Sequence, residues 1–286
     1  MGRILESFAF SDPQLEDVRK LAEACNQYDS LDYLHPTKER ALHGHHFQLY
    51  EGEALRGILT FPFDGRRGDP NPEAYVIVDP QHRRKGIGRS LVNAAKESIR
   101  EAGTKEFLLV SEAKSISGTA FAKAVGGALS RSEIRMRLMD KPTRSVEETI
   151  HLRQAKVEDV DLLARVLARS FESPVEAHLD RLKRDIPSPI YRFYLAYLAD
   201  EPVGSIGVVA EDRRVYLVAF GVLAEYRGRG FGRQILTQTV NRLVSENWDE
   251  ILIELDASNR VALSLYGSCG FRETTSYNYY AIKASG

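Results

Sequence analysis

Residues 222–232 read VLAEYRGRGFG, and residues 78–88 read VDPQHRRKGIG. Both stretches contain an arginine followed by two glycines in the spacing RxxGxG, and each lies between an apolar run and an amphipathic run. The two copies begin 144 residues apart, at Arg83 and Arg227, which is about half of the 286-residue chain. Because a chance RxxGxG arises at roughly 3 in 10,000 positions, two copies indicate a duplicated domain.

The similarity between the halves extends beyond the two turns. The apolar positions of one helical face recur at the same spacing: Ile87, Leu91, Val92 and Ile99 match Phe231, Ile235, Leu236 and Leu243. Buried strands are predicted at 107–113 (FLLVSEA) and 251–257 (ILIELDA). Each half is therefore expected to run strand, one or two helices, antiparallel strands, strand–helix–strand–helix and a final hairpin. That order predicts a mixed, mostly antiparallel sheet layered by helices.

The polar segment DKPTRSVEET at 140–149 contains a proline and separates the two similar halves. It predicts an N-terminal domain at 1–142 and a C-terminal domain at 147–286. Both lengths lie in the usual range for a domain with its own core.

Composition restricts the partners of the chain. Its 39 basic and 40 acidic residues give a net charge of −1, so neither nucleic acid nor an anionic membrane is an expected partner. The only cysteines, Cys25 and Cys269, lie far apart and form no metal-binding or redox motif. No signal core or membrane-length apolar run is visible, which indicates a cytoplasmic protein. The protein is expected to be a monomer or a homodimer.

The histidines of LHGHHF form a small group, His43, His45 and His46. A metal site would need further carboxylate or cysteine ligands that the sequence does not place beside them. A loop at the start of a strand is the favoured interpretation, and no metal is expected.

A glycine turn that opens a helix has a specific chemical use. The first turn of a helix exposes backbone N–H groups and a partial positive charge, and glycine lets an anion approach them closely. The two turns therefore predict pyrophosphate cradles, which we call the N-terminal cradle (83–88) and the C-terminal cradle (227–233). The leading arginine is expected to add charge at the rim. Neither a P-loop nor the GxGxxG dinucleotide motif fits, because the required lysine and third glycine are missing.

Both turns resemble the acyl-CoA-binding motif of the GNAT superfamily of N-acetyltransferases, V-x-P-x-[YH]-[RQ]-x-x-G-x-[GA]. The resemblance covers nearly the whole chain, once per half, and implies two tandem GNAT-like domains. It also implies that acetyl-CoA is the co-substrate, with its pyrophosphate on the backbone amides of each cradle. The residues to which it assigns cofactor binding are Val222, Arg227, Gly228, Arg229, Gly230, Phe231, Gly232 and Arg233, and Val78, Arg83, Arg84, Lys85, Gly86, Ile87 and Gly88.

A second family motif follows the cradle in the C-terminal half only. Asn259, Tyr266 and Gly270-Phe271 match it, which implies that Asn259 helps bind the cofactor and that Tyr266 protonates the departing CoA thiolate. A phenol with a pKa near 10 suits that role. The N-terminal half has Ser115 or a neighbouring residue in place of the asparagine, and Ala122 or Lys123 in place of the tyrosine. That half is therefore expected to be non-catalytic, either as an inert CoA site or as a support for the other half.

The attacking amine needs a group that removes its proton, and a carboxylate usually does this. Glu254 and Asp256 share one face of a predicted strand, and Glu211 and Asp212 end an earlier hairpin arm. The sequence leaves these four open, and Glu254 is carried forward as the candidate base. Tyr277, Tyr279 and Tyr280 alternate along a late strand and are candidates to line a substrate cleft.

The expected activity is transfer of an acetyl group from acetyl-CoA to a primary amine by direct attack in a ternary complex. A backbone N–H on the strand that contains Val222 would stabilise the polarised carbonyl. The acceptor would be a small-molecule amine or a peptide N-terminus. The architecture is similar to that of the mycothiol synthase family, which acetylates a cysteinyl amino-sugar conjugate, while aminoglycosides and polyamines stay open. The alternative is a CoA-binding sensor or structural module without turnover.

Overall fold

The computed structural model describes residues 2–31, 44–62, 71–141 and 149–284. Within these ranges the chain forms twelve strands and seven helices. The strands are β1 (Arg3–Ser7), β2 (His45–Glu51), β3 (Ala54–Phe61), β4 (Glu73–Val78), β5 (Glu106–Glu112), β6 (Ala128–Leu138), β7 (His151–Gln154), β8 (Tyr191–Leu198), β9 (Glu201–Glu211), β10 (Arg214–Val222), β11 (Glu250–Asp256) and β12 (Phe271–Lys283). The helices are α1 (Asp12–Asp29), α2 (Ile87–Glu101), α3 (Ile116–Ala124), α4 (Val160–Phe171), α5 (Glu176–Asp185), α6 (Phe231–Ser245) and α7 (Arg260–Ser268).

The chain divides into two compact units. The N-terminal unit contains Met1–Ser132 together with Ser276–Gly286, and the C-terminal unit contains Glu133–Thr275. The mixed α/β class and the two-fold repeat predicted from the sequence are confirmed. The predicted boundary between 142 and 147 lies outside the described residues, and the units differ from the predicted domains because each contains a strand from the other half of the chain.

The N-terminal unit is a sheet in the order β1-β2-β3-β4-β5-β12. All neighbours are antiparallel except β4 and β5, which are parallel. Ile58 and Leu59 are adjacent on β3 and point to opposite faces. Ile58 packs with the apolar side of α1, whereas Leu59 packs with that of α2. Each helix contributes one apolar stripe, so the sheet has a core on both faces.

The C-terminal unit repeats this plan in the order β7-β8-β9-β10-β11-β6, with β10 and β11 parallel. Leu195 of β8 packs with α4, and the neighbouring Ala196 packs with α6 on the opposite face. The two halves of the chain therefore build the same layered sheet from different residues.

The prediction of a final hairpin in each half is wrong. Each half instead ends in one long strand, β6 with 11 residues and β12 with 13 residues. The C-terminal part of β6 pairs with β11, from Glu133↔Asp256 to Arg137↔Leu252. The C-terminal part of β12 pairs with β5, from Tyr277↔Glu112 to Lys283↔Glu106. Each unit thus completes its sheet with a strand from the other half. A hairpin would have kept both strands in the half that encodes them.

The exchanged strand is part of the core that receives it. Ile282 of β12 has no exposed surface and packs with Phe107 and Leu109 of β5, in the cluster that also contains the apolar side of α2. Residues 276–284 therefore stabilise the N-terminal unit although they follow the C-terminal half in the sequence.

Replacing this side chain tests the exchange. Ile282→Ala should lower the free energy of unfolding of the N-terminal unit by about 2–5 kcal/mol, the usual cost of such a cavity. Hydrogen exchange of the β5 amides measures it, and Lys283→Ala at the neighbouring exposed position is the matched control. If Ile282→Ala instead loosened β11 and left β5 protected, the strand assignment would be incorrect.

Candidate functional site

Each unit contains a cleft where its two parallel strands separate. In the C-terminal unit the register of β10 and β11 ends at Leu217↔Ile253, although the strands continue to Val222 and Asp256. In the N-terminal unit the register of β4 and β5 ends at Ala74↔Leu109, well before Val78. Strands that diverge in this way offer backbone N–H and C=O groups to a ligand that lies between them.

Both clefts lead to the predicted glycine turns, and the turns have nearly the same backbone conformation. In the C-terminal cradle, Gly228 and Gly230 have φ angles of 76° and 81°, and α6 begins at the next residue. In the N-terminal cradle, Gly86 has a φ of 88°, and Arg84 occupies the position of Gly228 with a φ of 63°. Because a non-glycine residue pays on the order of 1 kcal/mol for this conformation, the surrounding structure enforces the N-terminal turn.

The leading arginines of both motifs bind the protein itself. Arg227 donates from Nε to the Val222 carbonyl over 3.0 Å and from Nη2 to the Ser170 carbonyl over 2.9 Å. Arg83 donates from Nε to the Val78 carbonyl over 3.2 Å and forms two 2.7 Å bonds with the Asp29 carboxylate. These bonds give both arginines a structural role, and the charge that they are expected to add at the rim stays a prediction. Each arginine ties the end of its strand to the last turn of the first helix of its unit, α1 for Arg83 and α4 for Arg227.

Other cations lie in and beside the two cradles. Arg84, Lys85 and Arg229 are exposed in the cradles, and the Arg229 guanidinium lies 5.5 Å from the ring centre of Tyr226. Arg233 follows in the first turn of α6, and Arg89 occupies the same place in α2. The sequence analysis missed Arg89, although its 144-residue offset from Arg233 could have revealed it.

A β-bulge distinguishes the cleft of the C-terminal unit. The pairing of β10 with β9 shifts between Val218 and Gly221, and Ala219 in this stretch has a φ of 50°. The Ser205 hydroxyl donates to the Ala219 carbonyl over 3.0 Å. Over the described residues of the N-terminal unit, β3 and β4 pair from Gly57↔Val78 to Thr60↔Tyr75 without such a shift. A bulge re-aims backbone groups, so the C-terminal cleft presents different donors from the N-terminal one.

Glycines permit this bulge. A Cβ on Gly204 would lie 2.4 Å from the Gly221 carbonyl oxygen, and a Cβ on Gly221 would lie 2.6 Å from the Ser170 Cβ. The N-terminal unit has Ile77 in place of Gly221. Isolated glycines inside a strand indicate a bulge or a close backbone approach, so this feature was visible in the sequence and was not recognised there.

Tyr266 lies on α7 against the bulged part of β10. Its ring stacks on Phe220 at a centroid distance of 5.9 Å and lies 6.4 Å from Phe271. Only 6% of the residue is exposed, and it belongs to the main core of its unit. Burial raises the pKa of the phenol to about 12. The hydroxyl therefore stays protonated throughout the neutral and moderately alkaline range.

Asn259 begins α7, where its side-chain oxygen accepts from the Ala262 N–H over 3.0 Å. Ser115 has the same role in α3, accepting from the Gly118 N–H over 3.0 Å. Because both helices start at these equivalent caps, the position of Tyr266 corresponds to Ala122 rather than Lys123. The carboxamide oxygen of Asn259 is used in capping the helix.

The structure separates the four candidate bases. Glu211 and Asp212 lie at the β9–β10 turn, roughly 20 Å along β10 from the bulge. Glu254 and Asp256 lie beyond Ile253, the last residue of β11 that pairs with β10, in the part of β11 that pairs with β6 alone. Glu254 bonds to Arg135 of β6 over 2.7 Å, and the Asp256 carboxylate accepts from the Ser258 backbone N–H over 2.7 Å. Glu254 is thus within the cleft region but already has a cationic partner.

The N-terminal cleft contains a cavity of about 460 Å³. It is continuous from the cradle to the space between β4 and β5, and its wall includes Tyr277, which is supplied by the exchanged strand β12. The predicted strand around Tyr277, Tyr279 and Tyr280 is confirmed. Tyr277 lines this cavity, whereas Tyr280 packs in the core with α2.

The histidines have structural contacts. His45 and His46 are the first residues of β2, and their rings lie 2.7 Å from the Glu6 carboxylate and the Thr60 hydroxyl. His43 lies outside the described residues. Over the described ranges, no group of three or more histidine, cysteine or carboxylate side chains is arranged to hold a metal ion. Likewise, none of the seven described helices is both long enough and apolar enough to cross a membrane.

Comparison with known proteins agrees with this geometry. The family model described as Acetyltransferase (GNAT) family matches residues 15–126 and again 160–271. A mycothiol acetyltransferase from Thermomonospora curvata is 28% identical over 93% of this chain and 92% of its own length.

Two solved structures share the whole architecture. A GCN5-related N-acetyltransferase from Sphaerobacter thermophilus has a TM-score of 0.79 at 17% identity, covering 98% of this chain and 96% of its own. A tandem GNAT protein from the clavulanic acid biosynthesis pathway has a TM-score of 0.75 at 16% identity, covering 100% and 99%. At this identity they establish the shared fold. With both cradles inside the two matched segments, the chain belongs to the GNAT family of acetyltransferases and is a tandem N-acetyltransferase with one GNAT domain in each half.

Proposed function

We propose that the C-terminal unit transfers an acetyl group from acetyl-CoA directly to a primary amine. The observation that carries this proposal is the meeting of three features at one cleft: the glycine cradle, the bulge in β10, and Tyr266 stacked beside that bulge. The N-terminal unit has the first feature without the other two in its described residues.

Acetyl-CoA would bind with its pyrophosphate on the backbone amides between Gly228 and Gly232, in the field of the α6 N-terminus. Arg229 and Arg233 add positive charge there. The pantetheine arm, which contains amides, would pair with the edge of β10 near Val222. GNAT acetyltransferases use acetyl-CoA as co-substrate, and the open space around Gly230, where a Cβ would contact nothing within 4 Å, suits a phosphate.

The reaction would proceed by attack of the amine nitrogen on the thioester carbonyl carbon. A C–N bond forms, the C–S bond breaks, and the amine proton leaves to a base. A backbone N–H freed by the bulge near Phe220 would stabilise the negative charge that develops on the carbonyl oxygen. Glu254 would accept the amine proton, directly or through water, with Arg135 limiting its mobility.

Tyr266 would return a proton to the CoA thiolate. Its raised pKa keeps the phenol protonated at working pH, and the departing CoA sulfur, which carries the negative charge of a thiolate, would accept that proton. Burial therefore keeps the proton on the phenol until the thiolate forms, although the raised pKa makes Tyr266 a weaker acid than a free tyrosine.

The N-terminal unit would hold CoA without turning it over. Its cradle has the required conformation, but Ala122 replaces the acid and β4 has no bulge in the described register. Its contribution to activity would be support of the C-terminal unit through the exchanged strands.

The first acceptor to test is the amine of a cysteinyl amino-sugar, because curated relatives over most of the chain are mycothiol acetyltransferases. A library that also contains polyamines, aminoglycosides and short peptides, assayed by release of free thiol from acetyl-CoA, identifies the acceptor class. Tight acetyl-CoA binding with no thiol release for any amine would favour a sensor instead.

Gly230→Val should abolish measurable acetyl-CoA binding to the C-terminal unit. Valine is strained at a φ of 81°, and its side chain would occupy the space proposed for the pyrophosphate. Isothermal titration calorimetry measures the loss. Gly103→Val is the matched control, because Gly103 has a φ of 80°, equally open surroundings and a place far from the cradle in sequence. Equal loss in both variants would contradict the assignment.

Arg227→Ala and Arg229→Ala should weaken acetyl-CoA binding for different reasons. Arg227→Ala removes two bonds to carbonyls and should lower the free energy of unfolding by about 1–3 kcal/mol. Arg229→Ala should change stability by less than about 0.5 kcal/mol and weaken binding about fivefold. Chemical denaturation combined with calorimetry separates the two effects. If Arg227→Ala unfolded at the same denaturant concentration as wild-type protein, the two hydrogen bonds of Arg227 would contribute nothing to stability.

Tyr266→Phe should lower kcat by about 10²- to 10⁴-fold while the Kd for acetyl-CoA stays within about twofold. Tyr194→Phe, another buried tyrosine of the same unit, is the control for the loss of a hydroxyl.

With wild-type protein the rate should rise with pH as the amine and its base lose protons. Since the phenol ionises only near pH 12, no fall should follow around pH 10. A descending limb near pH 10 that vanished in Tyr266→Phe would contradict the burial of this acid.

A further inference from the structure

The two cradles differ in the residue that immediately precedes them. His82 precedes the N-terminal cradle, and Tyr226 has the same place 144 positions later, before the C-terminal cradle. Tyr226 packs against the core of its unit, with its ring centre 6.3 Å from that of Phe231. His82 instead lines the same cavity as the residues of the N-terminal cradle. A side chain that gains a positive charge near neutral pH therefore replaces a tyrosine beside the proposed phosphate site.

The His82 ring lies near two carboxylates. Its Nδ1 is 2.8 Å from Asp79 Oδ2, and its Nε2 is 4.0 Å from Glu51 Oε2. Arg56 of β3 bridges the same two carboxylates, with Nη1 2.9 Å from Asp79 and Nε 3.7 Å from Glu51. Two negative charges and one positive charge therefore surround a neutral imidazole, and protonation of that imidazole would balance them.

The neighbouring groups from α1 and the cradle leave this balance in place. Arg83 is already paired, through two 2.7 Å bonds with the Asp29 carboxylate at the end of α1. The Cys25 thiol, 3.4 Å from the Val78 carbonyl oxygen, stays neutral because burial raises its pKa. Arg84 is exposed, so solvent screens its repulsion of a charged His82.

Asp79 also shapes the turn that enters the cradle. Its N–H donates to the Arg56 carbonyl over 2.9 Å, and its carboxylate accepts from the Gln81 N–H over 3.0 Å. Partial burial acts to raise the pKa of Asp79, but the Gln81 N–H and the Arg56 guanidinium outweigh it and hold that pKa below its ordinary value. The carboxylate is therefore ionised wherever His82 titrates, and a charged imidazole would strengthen the contact that supports this turn.

We infer that His82 makes the N-terminal cradle a pH-dependent site, which binds CoA more tightly when the imidazole is protonated than when it is neutral. The inference rests on the proposed use of the cradles for CoA and adds a regulation that the C-terminal cradle lacks. Residues 83–88 directly follow His82, so its charge would lie within about one screening length, ~8–10 Å, of phosphates bound there. The N-terminal unit would thus retain CoA as the pH falls.

Titration calorimetry with acetyl-CoA from about pH 5.5 to pH 8.5, at constant ionic strength, tests the inference. Gly230→Val leaves the N-terminal cradle as the working site, and Gly86→Val leaves the C-terminal one, because valine is strained at a φ of 81° or 88°. The phosphate monoester of CoA also titrates, with a pKa of about 6. The C-terminal cradle, which has Tyr226, reports that contribution.

The expected result is a difference between the two cradles. As the pH falls over this range, affinity at the N-terminal cradle should rise about three- to tenfold relative to the C-terminal one. Binding should also take up about 0.3–0.5 more protons at the N-terminal cradle near neutral pH, because affinity and proton binding are linked. Calorimetry in two buffers of different ionisation enthalpy measures this uptake.

Substitutions of the histidine assign the effect. In the Gly230→Val protein, His82→Tyr copies the other cradle and should remove both the relative gain at low pH and the extra proton uptake. His82→Gln keeps a polar side chain that does not titrate, and it replaces the first variant should that variant fold poorly. His151→Gln removes an exposed histidine from β7 of the C-terminal unit and is the control, with no change expected.

The outcomes separate this inference from the proposed function. A relative gain at low pH that is lost in the His82 variants and kept in His151→Gln supports the inference. The same pH dependence at both cradles, a gain that survives both His82 variants, or no binding to Gly230→Val at any pH while wild-type protein binds acetyl-CoA overturns the inference alone. If wild-type protein binds no acetyl-CoA at any pH, the proposed function itself fails.

Discussion

The arrangement of both units depends on one constraint: two neighbouring parallel strands that pair at one end and separate at the other. In the C-terminal unit the shared register ends at Leu217↔Ile253, and in the N-terminal unit it ends at Ala74↔Leu109. The separated ends stay paired with the strands on their outer sides but no longer with each other, and a helix begins after each first strand turns away. A cleft with a strand edge on one wall and a helix N-terminus at its mouth follows from this geometry.

Duplication preserved this geometry while the side chains diverged. Behind each cradle the backbone is held in the same way, by Asp79 N–H to the Arg56 carbonyl over 2.9 Å and by Leu223 N–H to the Val203 carbonyl over 3.0 Å. Around these bonds the N-terminal unit has an ion pair of Arg56 with Asp79 at 2.9 Å, whereas Val203 and Leu223 are fully buried core residues of the C-terminal unit. Backbone hydrogen bonds fix the turn, so either kind of side chain is tolerated beside it.

The strand exchange makes each unit depend on both halves of the chain. β12 completes the N-terminal sheet and supplies Tyr277 to its cavity, and β6 completes the C-terminal sheet and supplies Arg135, the partner of Glu254. Neither GNAT sheet is built from its own half of the sequence alone. This interdependence gives a physical reason for keeping a unit that has Ala122 where the other has Tyr266, because removing it would also remove the strand that pairs with β11.

The sequence by itself determined the fold class, the two-fold repeat and both cradles. It also determined that Tyr266 has no tyrosine as its counterpart in the N-terminal half. These features depend on local patterns: glycines with left-handed φ, apolar periodicity, and a helix whose cap fixes the position of Tyr266. The exchange of β6 and β12 was decided only by the tertiary structure, because a strand's alternating pattern does not specify its partner. The role of Arg83 and Arg227 was likewise decided by which carbonyls and carboxylates lie within reach in the folded chain. The cavity beside Val76 is also lined by Leu109, Phe121 and Tyr277, which are far apart in sequence and which only folding brings to one cleft.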